Sequence, residues 1–572
     1  MKKAIKYFIS GVVLLLAFSS LVACDESRAQ SSFSAKILQA PTNVDFEMHL
    51  SENNETSYHL TWTPVQHAAG YTLCVNDMPI EQTIDFYIGE YDITPYVQLN
   101  KANTVSVTAL GDGEDYQNSE TVSLQCVAEI PTIGLNYQSV FDRCVASPGE
   151  TEINGKLVIP DKYNGKKVTD IGEHAFSMCR TLTGIVIPDS VTNIGDMAFL
   201  GCKGVESLIL SKNMTSVGLG VFCGLDNLSS LDIPNSITTI GESAFGGCES
   251  LTSLVIPNGV TSIGVGAFER CTSLTSIYLP NSVTSIGKTA FHGCNATDIE
   301  IPESVTSIGA GAFRACDSLT DIKVAKDNAS FFTIDGNLYH RERISLTEEK
   351  ITLMQYAKGK TATEFIIPQG VTHIGGDAFY QCTQLTSIEI PDSVIAIGYE
   401  AFYECKGLTS IKLPNNLYTI SGGAFSFCNN LSGALIIPNN VKRIEQAAFY
   451  ECSNLTSVIL GDSMQAIFAG AFNVCQSMTS IVIPSSLIFI QDLTFDACDS
   501  LERVYYKGTA EQWDKINIDD DLGRNADLKE ATRYYYSENE PALTEDGTAY
   551  DGNFWHYDEN GEIVVWVKQS QS

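Results

Sequence analysis

Positive charge is scarce in this chain: 35 Lys and Arg stand against 68 Asp and Glu over 572 residues, a formal net charge of −33. Such a surface repels phosphate backbones and anionic membranes, which excludes nucleic acid as a partner and favours a cationic or neutral one. Long hydrophobic runs are missing too. The apolar stretch from Gly11 to Phe18 is too short to span a bilayer as a mature helix. Motifs of catalysis are absent: there is no His-Glu-x-x-His and no Gly-x-Ser-x-Gly elbow. Gly287-Lys288-Thr289 and Gly359-Lys360-Thr361 copy the end of a phosphate loop, but Ser282 and Met354 stand where its first glycine is required. No Cys-x-x-Cys pair exists, which argues against zinc, and no EF-hand pattern exists, which argues against calcium. The eight His are scattered. These gaps predict no enzyme activity, no cofactor and no metal, although acid pairs for glycoside cleavage cannot be recognised without a fold. An apolar share of 44% is enough for real cores.

What is present begins with an export signal over residues 1–23. Lys2, Lys3 and Lys6 form its positive start, and the short apolar run follows. Removing this segment, with its three lysines and no acid, takes the net charge from −33 to −36. Leu21-Val22-Ala23-Cys24 resembles the lipobox of bacterial lipoproteins, which implies a lipid on Cys24 and anchoring at the bacterial cell surface through that lipid alone. Residues 24–38 are polar and read as a tether.

Residues 39–128 alternate at period two. Tyr58, Leu60 and Trp62 share one face, as do Tyr71, Leu73 and Val75. Short alternating segments with turns between them predict an antiparallel β-sandwich. The segment resembles a fibronectin type III domain, whose core Trp and Tyr would be Trp62 and Tyr71. Such domains act as spacers or docking modules. No Arg-Gly-Asp occurs here, and a Cys74–Cys126 bridge is not expected.

Repetition dominates residues 129–508. The unit Ala-Phe-x-x-Cys-x-x-Leu-Thr-Ser-Ile-x-Ile-Pro-x-Ser-Val-Thr-x-Ile-Gly recurs with a period near 23, its Phe at 176, 199, 222, 245, 268, 291 and 313, then at 379, 402, 425, 449, 472 and 495. That period lies within the leucine-rich-repeat range. In the coil of Phe268, Leu274, Ile277 and Leu279 point inward from one short strand. Pro280 marks a bend, Val283 and Ile286 come from a second strand, and Gly287 permits the next turn. One coil alone leaves its apolar face open, so stability comes from stacking. The expected fold is mostly β: a leucine-rich-repeat solenoid of about 14–15 coils, ~70 Å long at the strand spacing, preceded by the sandwich.

Seventeen Cys occur, twelve of them in one repeat slot: Cys179, Cys202, Cys248, Cys271, Cys294, Cys316, Cys382, Cys405, Cys428, Cys452, Cys475 and Cys498. Strand spacing holds such neighbours too far apart for bridges. The coil of Phe222 carries Leu225 in this slot, so the slot wants a small apolar filler and the ladder should be buried thiols.

Three features could carry binding. Residues 327–360 break the rhythm as an enlarged coil with Phe331, Phe332 and Tyr339; insertions in solenoids map to one face. Beyond it an aromatic follows Ala-Phe: Tyr380, Tyr403 and Tyr450, with Phe427 one place further on. Such rings offer contact area at low entropy cost. The x of Ile-x-Ile varies through Asp232, Val255, Tyr278, Glu300, Lys323, Glu389, Lys412, Ile459 and Val482, as a recognition surface requires. Residues 509–572 read as a cap for the open end of the solenoid, supplied by Trp513, Trp555 and Trp566.

The repeat array resembles the BspA-like subclass of leucine-rich repeats. That resemblance implies a surface protein that adheres to or captures host or bacterial surface proteins, with glycans as a further class of partner. An envelope scaffold, or a hydrolytic surface protein, stays open as an alternative.

Overall fold

The computed structural model describes residues 35–568 except 81–82, 150–152, 521–522 and 546–547. The export signal and Cys24 lie outside the described residues. The chain divides into two compact units. Among the described residues no helix is long and apolar enough to cross a membrane.

The first unit runs to Ala175 and adds Leu182–Asn193 and Ile209–Asn213. Its first sheet joins Val122–Val127, Ala102–Leu110 and Gly70–Val75 in antiparallel order. In the second sheet Glu90–Asp92 pairs with Thr56–Thr63, which pairs with Thr42–Leu50, again antiparallel. The alternation read from the sequence sets which side faces inward. Tyr58, Leu60, Trp62, Tyr71, Leu73 and Val75 are buried in one core with Val105, Val107 and Ala109, and the Trp62 and Tyr71 rings meet edge to face at 5.1 Å. Cys74 lies opposite Ser106 and Cys126 opposite Asn103, both as free thiols. The second sheet does not stop at residue 128. Thr42–Leu50 takes Lys162–Tyr163 as a parallel neighbour, and Lys166–Ile171 and Arg143–Ser147 follow. One sheet therefore runs from the sandwich into the first coils, closing an edge that would otherwise stay unpaired.

The second unit holds the stacked coils. Two-residue strands ending in the repeat Ile, or Val in the first, form a parallel ladder, Ser216–Val217, Thr239–Ile240, Ser262–Ile263, Ser285–Ile286 and Ser307–Ile308. The Ile-x-Ile segments form a second ladder, as where Ser253–Val255 pairs with Ser276–Tyr278. The Phe side chains stack down the interior in near-parallel rings 5.3–5.9 Å apart from Phe176 to Phe313. The stack resumes from Phe379 to Phe495 at 4.9–5.8 Å. Tyr356 stacks on Phe379 at 5.3 Å.

The repeat glycine acts differently from the expectation. Gly287 is not left-handed; a Cβ there would lie 2.5 Å from the Gly264 carbonyl carbon and the Val265 nitrogen. Glycine is needed at this position because its backbone meets the backbone of the preceding coil. The left-handed positions lie two residues before and after each Phe, such as Gly266 (φ 58°) and Arg270 (φ 59°) around Phe268.

The ladder cysteines are eleven times buried, with Cys179 half-buried. They also do more than fill space. Ten of them aim their S–H at the carbonyl of the Phe one coil back, as in Cys202 to Phe176 at 3.0 Å and Cys428 to Phe402 at 3.2 Å.

The enlarged coil is a three-stranded antiparallel meander, Phe331–Ile334, Asn337–Arg343 and Glu349–Gln355. Its last strand rejoins the ladder through Leu353 opposite Ile374. At the far end the second ladder continues without a break, from Ser480–Pro484 through Arg503–Lys507 and Thr532–Tyr536 to Phe554–Tyr557. An antiparallel partner, Ile563–Val565, closes it. Trp513 and Trp555 are buried and Trp566 is half-buried.

Candidate functional site

The aromatic edge beyond the enlarged coil is continuous. Each coil delivers one ring to the same corner, so ladder spacing sets their separation. Tyr380 and Tyr403 stack at 5.1 Å, Phe427 meets Tyr403 edge-on at 5.2 Å, and Tyr450 meets Phe427 at 5.1 Å. Phe427 sits two places after its Phe, at φ 61°, which brings its side chain into the row although it is displaced by one residue in sequence. All four rings are half-buried. Beside them a groove of about 340 Å³ is lined by Tyr399, Glu400, Tyr403, Phe427, Gln446 and Tyr450.

Charge is placed at one end of this row. Arg314, from the coil before the enlarged one, reaches Asp377 at 2.8 Å and Glu400 at 3.1 Å. Its guanidinium lies 3.4 Å from the centroid of the Tyr380 ring. Burial pushes the Asp377 carboxyl up, with Arg314 opposing it. Tyr399 is 60% exposed, and its hydroxyl is held above the usual range by Glu400. The row thus gathers aromatic edges, an exposed phenol and a carboxylate on one corner of the coils. Arg314 and Tyr399 escaped the sequence reading. Tyr399 lies two places before the noticed Ala-Phe pair, and the partners of Arg314 lie across the insertion.

Two other expectations need correction. Phe331 and Tyr339 are buried and serve the core of the meander, so they cannot be contact residues; Phe332 is half-buried against Tyr339. Val482 does not belong to the exposed variable column. It packs with Tyr505 and Trp555 beneath the C-terminal strands, and Ile459 packs against the same cluster. Val255 and Tyr278, 63% and 57% exposed, do form part of an open column, with exposed Asp232, Glu300, Lys323, Glu389 and Lys412.

A second cluster appears where the sequence showed only scattered His. On the outer face of the second sandwich sheet, His49, His59 and Glu90 bring ligand-type atoms within 4.8 Å of one another. The pairing register makes this possible: Glu47 faces His59, and Glu90 lies opposite Thr61. The imidazoles stack at 4.0 Å. Lys162 adds an ammonium 2.9 Å from Glu47. The His49 hydrogen bond holds the Glu47 carboxyl down at about 2, and burial pushes His59 below the ordinary histidine range. Period-two spacing of Glu47 with His49, and of Ser57 with His59, was the legible signal.

The comparisons with known proteins point the same way as the coils. The profile of the BspA type leucine rich repeat region matches in six copies over residues 157–255, 238–348, 349–436 and 432–517. Among solved structures the chain is similar to a leucine rich cell surface protein from Faecalibacterium prausnitzii A2-165, at 29% identity over 68% of this chain and 96% of that one, with a TM-score of 0.53. It is also similar to the pneumococcal vaccine antigen PcpA, at 21% identity over 68% and 98% of the two chains and a TM-score of 0.49. A leucine-rich repeat protein from Bacteroides ovatus ATCC 8483 matches at 25% identity over 71% and 98%, with a TM-score of 0.44. A search of curated proteins finds no match. The profile matches span more than half of the chain and coincide with its stacked coils, so the chain belongs to the BspA-type leucine-rich-repeat family.

Proposed function

We propose that this protein is an exported, lipid-anchored bacterial surface protein whose solenoid binds other proteins, on host or bacterial surfaces, without catalysing a reaction. The observation that carries the reading is the half-buried row Tyr380, Tyr403, Phe427 and Tyr450 beside an open groove. Rings held in place by stacking lose little entropy when a partner docks, so modest contacts sum to useful affinity. The net charge of −33 favours a neutral or basic partner over an anionic one. The similar Faecalibacterium protein is described as a cell surface protein, which supports the same location here. For anchoring, the support is the Lys-rich start, the short apolar run and Cys24 in its lipobox-like setting.

An unbiased pull-down from host and bacterial surface extracts tests the binding. Recovery of a defined protein, lost with Tyr403→Ser and Tyr450→Ser together, supports the reading; recovery of nothing beyond a bead control contradicts it. Metabolic labelling with palmitate tests the anchor: label on the native chain and none on Cys24→Ala is expected.

A further inference from the structure

The cluster on the outer face of the sandwich sheet is built around a gap between nitrogens. His59 Nε2 lies 3.0 Å from the Ser57 hydroxyl. His49 Nε2 lies 3.0 Å from a Glu47 carboxylate oxygen. With both Nε2 atoms engaged this way, both Nδ1 atoms turn toward the same Glu90 oxygen, at 2.9 Å from His59 and 3.9 Å from His49. The His59 Nδ1 is buried and makes no aligned hydrogen bond there. An imidazole lone pair facing a carboxylate oxygen is repulsive unless a cation or proton stands between them.

We infer that His49, His59 and Glu90 form a divalent transition-metal site, with zinc the best fit. Two imidazoles and one carboxylate are a donor set of the borderline kind that zinc takes, leaving a fourth position open. The outer partners are also those of a metal site. Glu47 and Ser57 hold the distal ring nitrogens, the arrangement that fixes tautomer and ring direction for ligating histidines. The three ligands come from three adjacent hydrogen-bonded strands, so their backbone positions are fixed before metal arrives. A cavity of about 500 Å³ lined by His49, Ser57 and Asp92 opens on the His49 side of the cluster. Lys162 competes for the same charge: its ammonium lies 3.7 Å from Glu90 and 2.9 Å from Glu47. Metal binding therefore displaces that ammonium from Glu90, and removing the lysine tightens the site.

The test is equilibrium dialysis of the full chain against Zn²⁺ under reducing conditions, followed by the absorption spectrum with Co²⁺. One metal per chain is expected, with d–d bands and no thiolate charge-transfer band. His49→Ala and His59→Ala each abolish binding, Lys162→Met lowers the Kd, and His292→Ala changes nothing. Circular dichroism identifies any variant that fails to fold; Lys162→Met keeps all three ligands and so tests the site even then. No bound metal, a thiolate band as the sole signal, or binding that survives both histidine substitutions overturns the assignment.

Discussion

A buried thiol in a repeat slot can be a filler or a hydrogen-bond donor, and here it is both. The Cys428 S–H supports the carbonyl of Phe402 one coil back, so Cys428→Ala removes contacts and a weak bond together, at a cost of ~1–3 kcal/mol read from the urea midpoint. Burial also pushes the Cys405 and Cys475 thiols up, to about 12. The unfolded chain ionises them near the ordinary 9.0 while the folded chain keeps them protonated. That contribution to stability is fully present below 9.0 and is lost as pH rises toward 12, so the urea midpoint should fall across that window. Thiol reagents at neutral pH should leave the buried ladder unmodified until the chain unfolds. Glycine in the repeat makes an equally specific demand. Gly287→Ala sets a methyl 2.5 Å from backbone atoms of the coil below, which cannot rotate away. A loss of ~2 kcal/mol or more is expected in the same assay. The sequence showed a glycine recurring in this slot, replaced by Ser421, Glu445, Phe468 and Gln491 in later coils, but not why Gly287 is one, because the cause is a contact with another coil.

The enlarged coil and the aromatic edge are the elements where reading and structure part most. Phe331 and Tyr339 looked like exposed recognition residues because an insertion in a solenoid is often a surface loop. They are buried because the meander folds back antiparallel and returns its third strand to the ladder. Phe331→Ala should therefore cost ~3–5 kcal/mol of stability, a core-truncation loss. Tyr339→Phe, which removes a buried hydroxyl without a hydrogen-bond partner, should be neutral or stabilising by up to ~2 kcal/mol. Arg314 joins coils on either side of this insertion, where it is paired with Asp377 and Glu400. Arg314→Met strands two partly buried carboxylates and should destabilise by ~3 kcal/mol, as thermal unfolding would show. The period, the Phe stack, the cysteine slot and the inward faces of the sandwich were legible, since each is a property of local spacing. Arg314 was not: its partner Asp377 lies 63 residues away. The His49, His59 and Glu90 cluster depends on strand register, and the covering of Val482 depends on where the tail lands.

At the scale of the whole chain, two compact units carry different chemistry. The first holds a sandwich core and a histidine–carboxylate face; the second holds stacked coils with an aromatic edge. Membership of the BspA-type family accounts for the coils, and the edge is where the account places recognition. Surface plasmon resonance of the intact chain against immobilised extracellular-matrix, plasma and mucosal proteins tests that placement most directly, run beside a Tyr403→Ser/Tyr450→Ser variant of matched thermal stability. The account predicts saturable binding to at least one protein, weakened at least tenfold in the variant, a loss of ~1.4 kcal/mol. Saturable binding that is unchanged in the variant, or no binding by the folded native chain, would contradict it.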